Sequence, residues 1–352
     1  MTWPWRNSST AIIALISLAL FGQGCSISLG SSAGLDGGVF RSDDHGQSWQ
    51  QKNFVSQSKQ GAVTLNDVSG RALVFDPRNS DHLYLATREN GIWVTTNGGD
   101  QWQATSIRSG DYECLDLDPL NANIVYTAAG SLVLKSTTGG QSWTTVYTET
   151  QPGQTVTCVA VDPSNGQLIW ATTSGGKILL SQDYGQTWTL QTTLAAFLPR
   201  RIFIDPAGSG TMTIFTRGNG IWVGRSRGSQ WVDLSKPLQA YSGAADIRSV
   251  DIEPSGWYLA TAYGVLHSVD QGQSWTPMKT LVTPGSVPIQ NVAVNPRQSQ
   301  EIFLTTNQKV HHTTDGGQTW SVSTLPTARL PVLLTFDPTK TDRLFVSTFK
   351  LK

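Results

Sequence analysis

Ser181-Gln182-Asp183-Tyr184-Gly185-Gln186-Thr187-Trp188 reads S-x-D-x-G-x-T-W, and the chain repeats it. The same pattern occupies residues 42–49, 268–275 and 313–320. Looser copies occupy residues 95–102 and 136–143, with Asn97 and Thr138 in the aspartate slot. An eroded copy ends at Trp231, where Gly228 keeps the glycine and Ser226 replaces the aspartate. The tryptophans Trp49, Trp102, Trp143, Trp188, Trp231, Trp275 and Trp320 thus recur every 41 to 53 residues. Such a period marks a repeat architecture, in which each copy is one supersecondary unit.

A second mark alternates with the first. Val159-Ala160-Val161-Asp162-Pro163 has counterparts ending at Pro77, Pro119, Pro206, Pro254, Pro296 and Pro338. After each comes a strand-like run, a glycine-centred turn, another run, the box and a last polar strand. Each unit therefore holds four short strands, A to D: the Asp-Pro turn joins A to B and the box joins C to D. Four antiparallel strands at this spacing make one blade of a β-propeller. The chain opens on a C–D pair and closes on an A–B pair, so the expected fold is all-β, with seven four-stranded blades. The last blade is completed by strand pairs from both termini, which leaves no free sheet edge.

The box residues suit a hairpin. Glycine accepts positive φ, aspartate and hydroxyl side chains bond nearby backbone amides, and tryptophan fills the gap between neighbouring sheets. A structural role is assigned to Asp43 and Trp49, Asp183 and Trp188, Asp270 and Trp275, and Asp315 and Trp320.

Composition agrees with many strands and turns: 34 glycines, 13 tryptophans and only 14% charged residues, with 25 basic against 25 acidic. A neutral chain argues against nucleic acid as the partner. Residues 1–25 have the outline of a secretory signal peptide: Arg6, a short apolar run from Ala11 to Phe21, then Gly22-Gln23-Gly24-Cys25. Cys25 stands where a bacterial lipobox has its lipidated cysteine, so export with a lipid anchor is expected; a secreted or periplasmic form is the alternative. Residues 26–36 read as a flexible Ser/Gly tether, and residues 37–352 as the propeller. Cys114 and Cys158 share one register in consecutive repeats, and equivalent positions in neighbouring repeats are expected to lie too far apart to bridge; two buried thiols are the expectation. No cysteine–histidine set has zinc spacing, and no metal or cofactor is expected.

The boxes and V-x-V-D-P strands resemble the Asp-box (BNR-repeat) propellers, among them sialidases, xyloglucanases, sortilin-type domains and the photosystem II assembly and stability factors. The resemblance covers residues 37–352. It implies that the boxes face away from the ligand site, and that recognition belongs to the other end, where the D–A and B–C loops surround the channel mouth. There Arg71, Arg200 and Arg248 all fall six residues before their prolines, Arg201 follows Arg200, and Arg88 and Arg217 lie in B–C loops. Asp111, Glu113 and Asp246 are near them in register. Converging guanidiniums suit carboxylates or phosphates, so a protein, anionic or glycan ligand is expected at this mouth. The D–A segments 57–69, 238–245 and 280–288 are long, as recognition loops on a rigid scaffold tend to be.

Two functions follow. One is a non-catalytic, exported, lipid-anchored monomer acting as a binding or assembly scaffold in the cell envelope. The other is a glycoside hydrolase of sialidase or xyloglucanase type. Pro199-Arg200-Arg201-Ile202 is only superficially like the sialidase start. Asp111 and Asp246 could be nominated as the carboxylate pair such chemistry needs, but no motif supports them.

Overall fold

The computed structural model describes residues 37–194, 199–205, 210–216, 218 and 220–350. The expected leader, tether and Cys25 lie outside them. Seven four-stranded antiparallel sheets are present, and the one containing the termini has the strand order Gln50–Gln51, Val39–Ser42, Leu344–Phe349, Leu330–Phe336. Val39 pairs with Ser347 and Ser42 with Leu344, so both chain ends share one blade, numbered 7. Blade 1 begins at Gly70–Asp76 and blade 6 at Asn291–Val294. The innermost strands contact one another in sequence round a closed ring. A two-stranded hairpin, Phe54–Ser58 with Gly61–Thr64, is added before blade 1.

The core is divided by the blades. Seven apolar clusters fill the seven seams, and each takes the tryptophan of one box: Trp49, Trp102, Trp143, Trp188, Trp231, Trp275 and Trp320. Trp102 is fully buried. Such a ring supplies a large area removed from water and a rigid wedge between sheets.

Inside each box the polar atoms close on themselves. The Ser181 hydroxyl donates to Asp183 and accepts from Gly185 N–H at 2.7 Å. The Asp183 carboxylate then accepts from the Thr187 amide and hydroxyl at 2.8 and 2.6 Å. Asp270 and Asp315 repeat this with Ser274 and Thr319. In the first box the slot belongs to Asp44, which takes the Ser42 hydroxyl and the Ser48 amide and hydroxyl. Asp43 lies one residue too early to face the turn, and it pairs instead with Arg41 at 2.9 Å. Gly46 shows why a glycine is required: its φ is +71°, and an added Cβ would meet Phe303 at 2.5 Å. The eroded box still passes the Trp231 indole N–H to the Gly228 carbonyl at 2.9 Å, as Trp188 does with Gly185.

One expectation is overturned. Cys114 and Cys158 form a disulfide, with their Cα atoms 5.2 Å apart. Equivalent positions on outer strands of neighbouring blades diverge, but these cysteines sit at the innermost strands, where the blades converge on the axis. The bond joins the innermost strand of blade 3, Val156–Asp162, to the residue before that of blade 2, Leu115–Asp118.

Candidate functional site

The antiparallel order puts the boxes and Asp-Pro turns at one end of the ring and the B–C and D–A connections at the other. The second end carries most of the arginines singled out above, and the structure shows what each touches. Arg71, at the start of blade 1, reaches across the seam to Asp111 at 3.2 Å and Glu113 at 3.5 Å. Its Nε is buried with no hydrogen-bond partner. Arg248 pairs with Asp246 on its own chain segment at 3.0 Å. Arg88 has no carboxylate partner among the described residues; its guanidinium lies 5.0 Å over the Phe349 ring, a cation–π arrangement. Arg200 is on the strand Pro199–Ile204, but its side chain is not among those described, and Arg217 lies outside the described residues.

Arg201 is elsewhere. It lines the channel wall, donating from Nη1 to the Val250 carbonyl at 3.0 Å. Opposite charges face it in the channel: the Arg201 guanidinium lowers the pKa of Asp116, Asp251 and Glu253, against a larger rise from burial. Burial therefore wins, holding Asp116 and Asp251 at about 6 and Glu253 at about 8, where the Asp251 charge adds to the rise. The innermost strand of each blade has amide groups with no inner neighbour. Asp116 fills that need by accepting from Val161 N–H at 2.9 Å, and Asp251 does the same for Val294 at 2.7 Å. Both aspartates fall three residues before their prolines, where other repeats have apolar side chains or threonine. That departure was the signal available in the sequence.

Further pairs complete the mouth. Asp67 receives Arg329 at 3.0 Å and Lys350 at 2.9 Å, and these donors hold its carboxyl below the usual range, Lys350 contributing most. Lys177 meets the buried Glu149 at 2.8 Å. A small hollow of about 50 Å³ is lined by Asp67, Ser69, Arg88, Glu89, Asn90 and Lys350. It lies where blade 1 meets the terminal blade. The mouth therefore presents ion pairs that cross seams, with Arg88 and its aromatic partner beside the hollow.

Comparison with known proteins follows the same lines. A xyloglucanase from Paenibacillus sp. is 24% identical over 247 residues, which is 64% of this chain and 22% of that protein. The photosystem II assembly lipoprotein Ycf48 of Synechococcus sp. is 28% identical over 132 residues, 36% of this chain and 39% of that protein. The chain thus spans well under two thirds of the length of these relatives. A solved structure described as YCF48 bound to D1 peptide superposes with a TM-score of 0.61 at 17% identity, covering 80% of this chain and 94% of that one. At that identity the likeness is one of fold. Residues 62–238, half of the chain, match the family described as photosynthesis system II assembly factor YCF48. With the box repeats continuing beyond that match around the whole ring, the chain is a BNR-repeat propeller that belongs to the YCF48 assembly-factor family.

Proposed function

We propose that this chain is a non-catalytic docking propeller of the assembly-factor kind, exported and held at a membrane by lipid on Cys25, which takes a segment of a partner protein at its channel mouth. The observation that carries the reading is Arg88: a cation over an aromatic ring, beside a hollow, with no carboxylate of its own among the described residues. Such a guanidinium can form two parallel bonds to an incoming carboxylate. Arg71 on blade 1 and Arg248 on blade 5 lie at the same end of the ring, and their pairs with Asp111, Glu113 and Asp246 would open or exchange as the partner docks. Arg200 and Arg217 complete the basic set in this reading, and Arg201 belongs to the channel wall. The peptide in the YCF48 structure motivates the class of ligand. The Cys114–Cys158 disulfide supports an exported chain, because such bonds persist in oxidising compartments.

The test is crosslinking in the host followed by capture of the partner, with the parent chain and with Arg88→Glu. Loss of the crosslinked partner from the variant is expected; an unchanged yield would remove the mouth from the proposal. Continued labelling of Cys25→Ser with palmitate would remove the anchor.

The xyloglucanase match favours a second reading, hydrolysis of an extracellular glycan. Its nominated carboxylates, Asp111 and Asp246, are each bound to an arginine. Release of reducing sugar from xyloglucan by the purified chain, lost in Asp111→Asn, would replace the docking reading with this one.

A further inference from the structure

At the box end, one seam between blades differs from another at corresponding positions. Where blade 7 meets blade 1, the space is filled by charge. Arg343, 5% exposed, meets Asp337 and reaches Asp81 at 2.6 Å. Arg41, the residue before the box, donates to the Gly98 carbonyl at 2.7 Å and pairs with Asp100 at 3.3 Å. Two cations of one blade thus meet two carboxylates of the next.

Where blade 2 meets blade 3 the same places hold other residues. Lys135 precedes its box as Arg41 does, and it donates to the Tyr184 carbonyl at 2.8 Å, the counterpart of Gly98. Ile124, five residues after its proline, replaces Arg343. Gln167, four residues after its proline, replaces Asp81, and Gln186 replaces Asp100. So one cation survives, the other is cut to an aliphatic stub, and both carboxylates have become neutral amides. The result is an open cleft of about 500 Å³ whose walls include Ile124, Lys135, Asn165, Tyr184 and Gln186. That volume is in the range of small-ligand sites.

The cleft wall is rich in donors. Lys135 has no ion pair among the described residues, and its ammonium lies 5.5 and 5.4 Å from the centres of the Tyr126 and Tyr184 rings. Burial lowers its pKa, and the nearby Asp118 and Asp183 charges offset only part of that fall. Asn121 and Asn165 spend their side-chain oxygens on the amides of Asn123 and Gln167, which leaves their NH₂ groups as donors. Asp118 is the one carboxylate on the wall, and its Oδ1 is occupied by the amides of Leu120 and Asn121. A third seam differs again: between blades 6 and 7, His312 also precedes its box, and it meets the buried Glu301 of its own blade at 3.1 Å, while His45 of blade 7 reaches the same carboxylate at 2.9 Å.

From these correspondences we propose that the cleft between blades 2 and 3 binds a carboxylate, which supplies to Lys135 the partner that Asp100 supplies to Arg41. The site is at the opposite end of the ring from the mouth and does not depend on what docks there. The carboxylate can belong to a free small acid or to an acidic peptide.

The experiment is calorimetric titration of the full chain with succinate, with the peptide acetyl-Glu-Glu-Glu-amide, and with inorganic phosphate. Binding of succinate or of the peptide is expected, and which of them binds identifies the source. Lys135→Met should weaken it at least tenfold while Lys135→Arg retains it. Gln186→Asp should abolish it by installing the partner found in the other seam, and should raise the melting temperature. Gln186 is exposed, so that variant tests the idea without loss of the core. Binding of neither carboxylate, equal binding of phosphate, or binding untouched by Gln186→Asp would each overturn the proposal.

Discussion

The two ends of this ring use the same kinds of side chain to opposite effect. At the box end a carboxylate is satisfied within its own turn, by a hydroxyl two residues before it and by an amide and hydroxyl four residues after it. These bonds hold Asp183 and Asp270 at about 2, the Thr187 and Ser274 hydroxyls contributing most. At the mouth and in the channel several partners come from across a seam, as in Arg71 with Asp111 and Asp116 with the Val161 amide. Chemistry that closes within eight residues can be copied seven times. Chemistry that crosses a seam depends on two repeats at once, so it varies from seam to seam, and variation is where recognition can be built.

The largest effect is expected where the box end crosses a seam. Asp337 is fully buried and bonds Arg343, which ties the terminal blade to Asp81 and Ser80 of blade 1. Removing one member leaves a buried guanidinium short of a partner, and Asp337→Ala should cost roughly 3–5 kcal/mol in denaturant unfolding. A loss below about 1 kcal/mol would show that the ring closes through its strand pairing alone.

Next is the staple at the mouth end. The double variant Cys114→Ser with Cys158→Ser should lose about 2–4 kcal/mol, and the parent should fall to the same value in reductant. Parent stability that ignores reductant would place the restraint in the strands. The channel acids sharpen the contrast through pH. Their folded pKa values lie above the unfolded ones, so the folded state holds the extra protons. Stability is then fully present below pH 4 and falls as pH rises, through about 6 for Asp116 and Asp251 and about 8 for Glu253. Glu253→Gln should end that fall near pH 6, recovering on the order of 2 kcal/mol at pH 8. An identical profile in the variant would mean that Glu253 is charged and solvated.

What was legible in the sequence follows the same division. The boxes, the Asp-Pro turns and the seventh blade shared by the termini could be read because each rests on residues close in sequence. The disulfide could not, because its two halves belong to different blades and only the convergence of innermost strands brings them within reach. Arg201 stands beside the rim arginines in sequence but lies on the channel wall, because its guanidinium is held by the Val250 carbonyl of the next blade, a partner that its own repeat does not reveal. Asp116 and Asp251 were visible as breaks in an apolar pattern, but their partners are amides of the next blade. The arginine pairs Arg71–Asp111 and Arg248–Asp246 were within reach of register alone, because each partner sits near the same loop.

The smallest effects set the two ends directly against each other. Ser181 is fully buried, and its hydroxyl is the partner of the Gly185 amide. Ser181→Ala strands that amide in a turn already committed to positive φ, and should cost about 1–2 kcal/mol. Arg248 pairs with Asp246 at a similar distance, 3.0 Å, but both side chains are partly in water. Its loss lets water solvate Asp246, so Arg248→Ala should change stability by about 0–1 kcal/mol. Read by thermal melting of both variants side by side, the box variant should fall clearly below the mouth variant. If Arg248→Ala proved the worse of the two, the mouth arginines would be part of the scaffold and unavailable for exchange with a docking partner. If Ser181→Ala is the worse, Arg248 can change partners at small cost to the fold, which is the condition a binding rim on a rigid ring must meet.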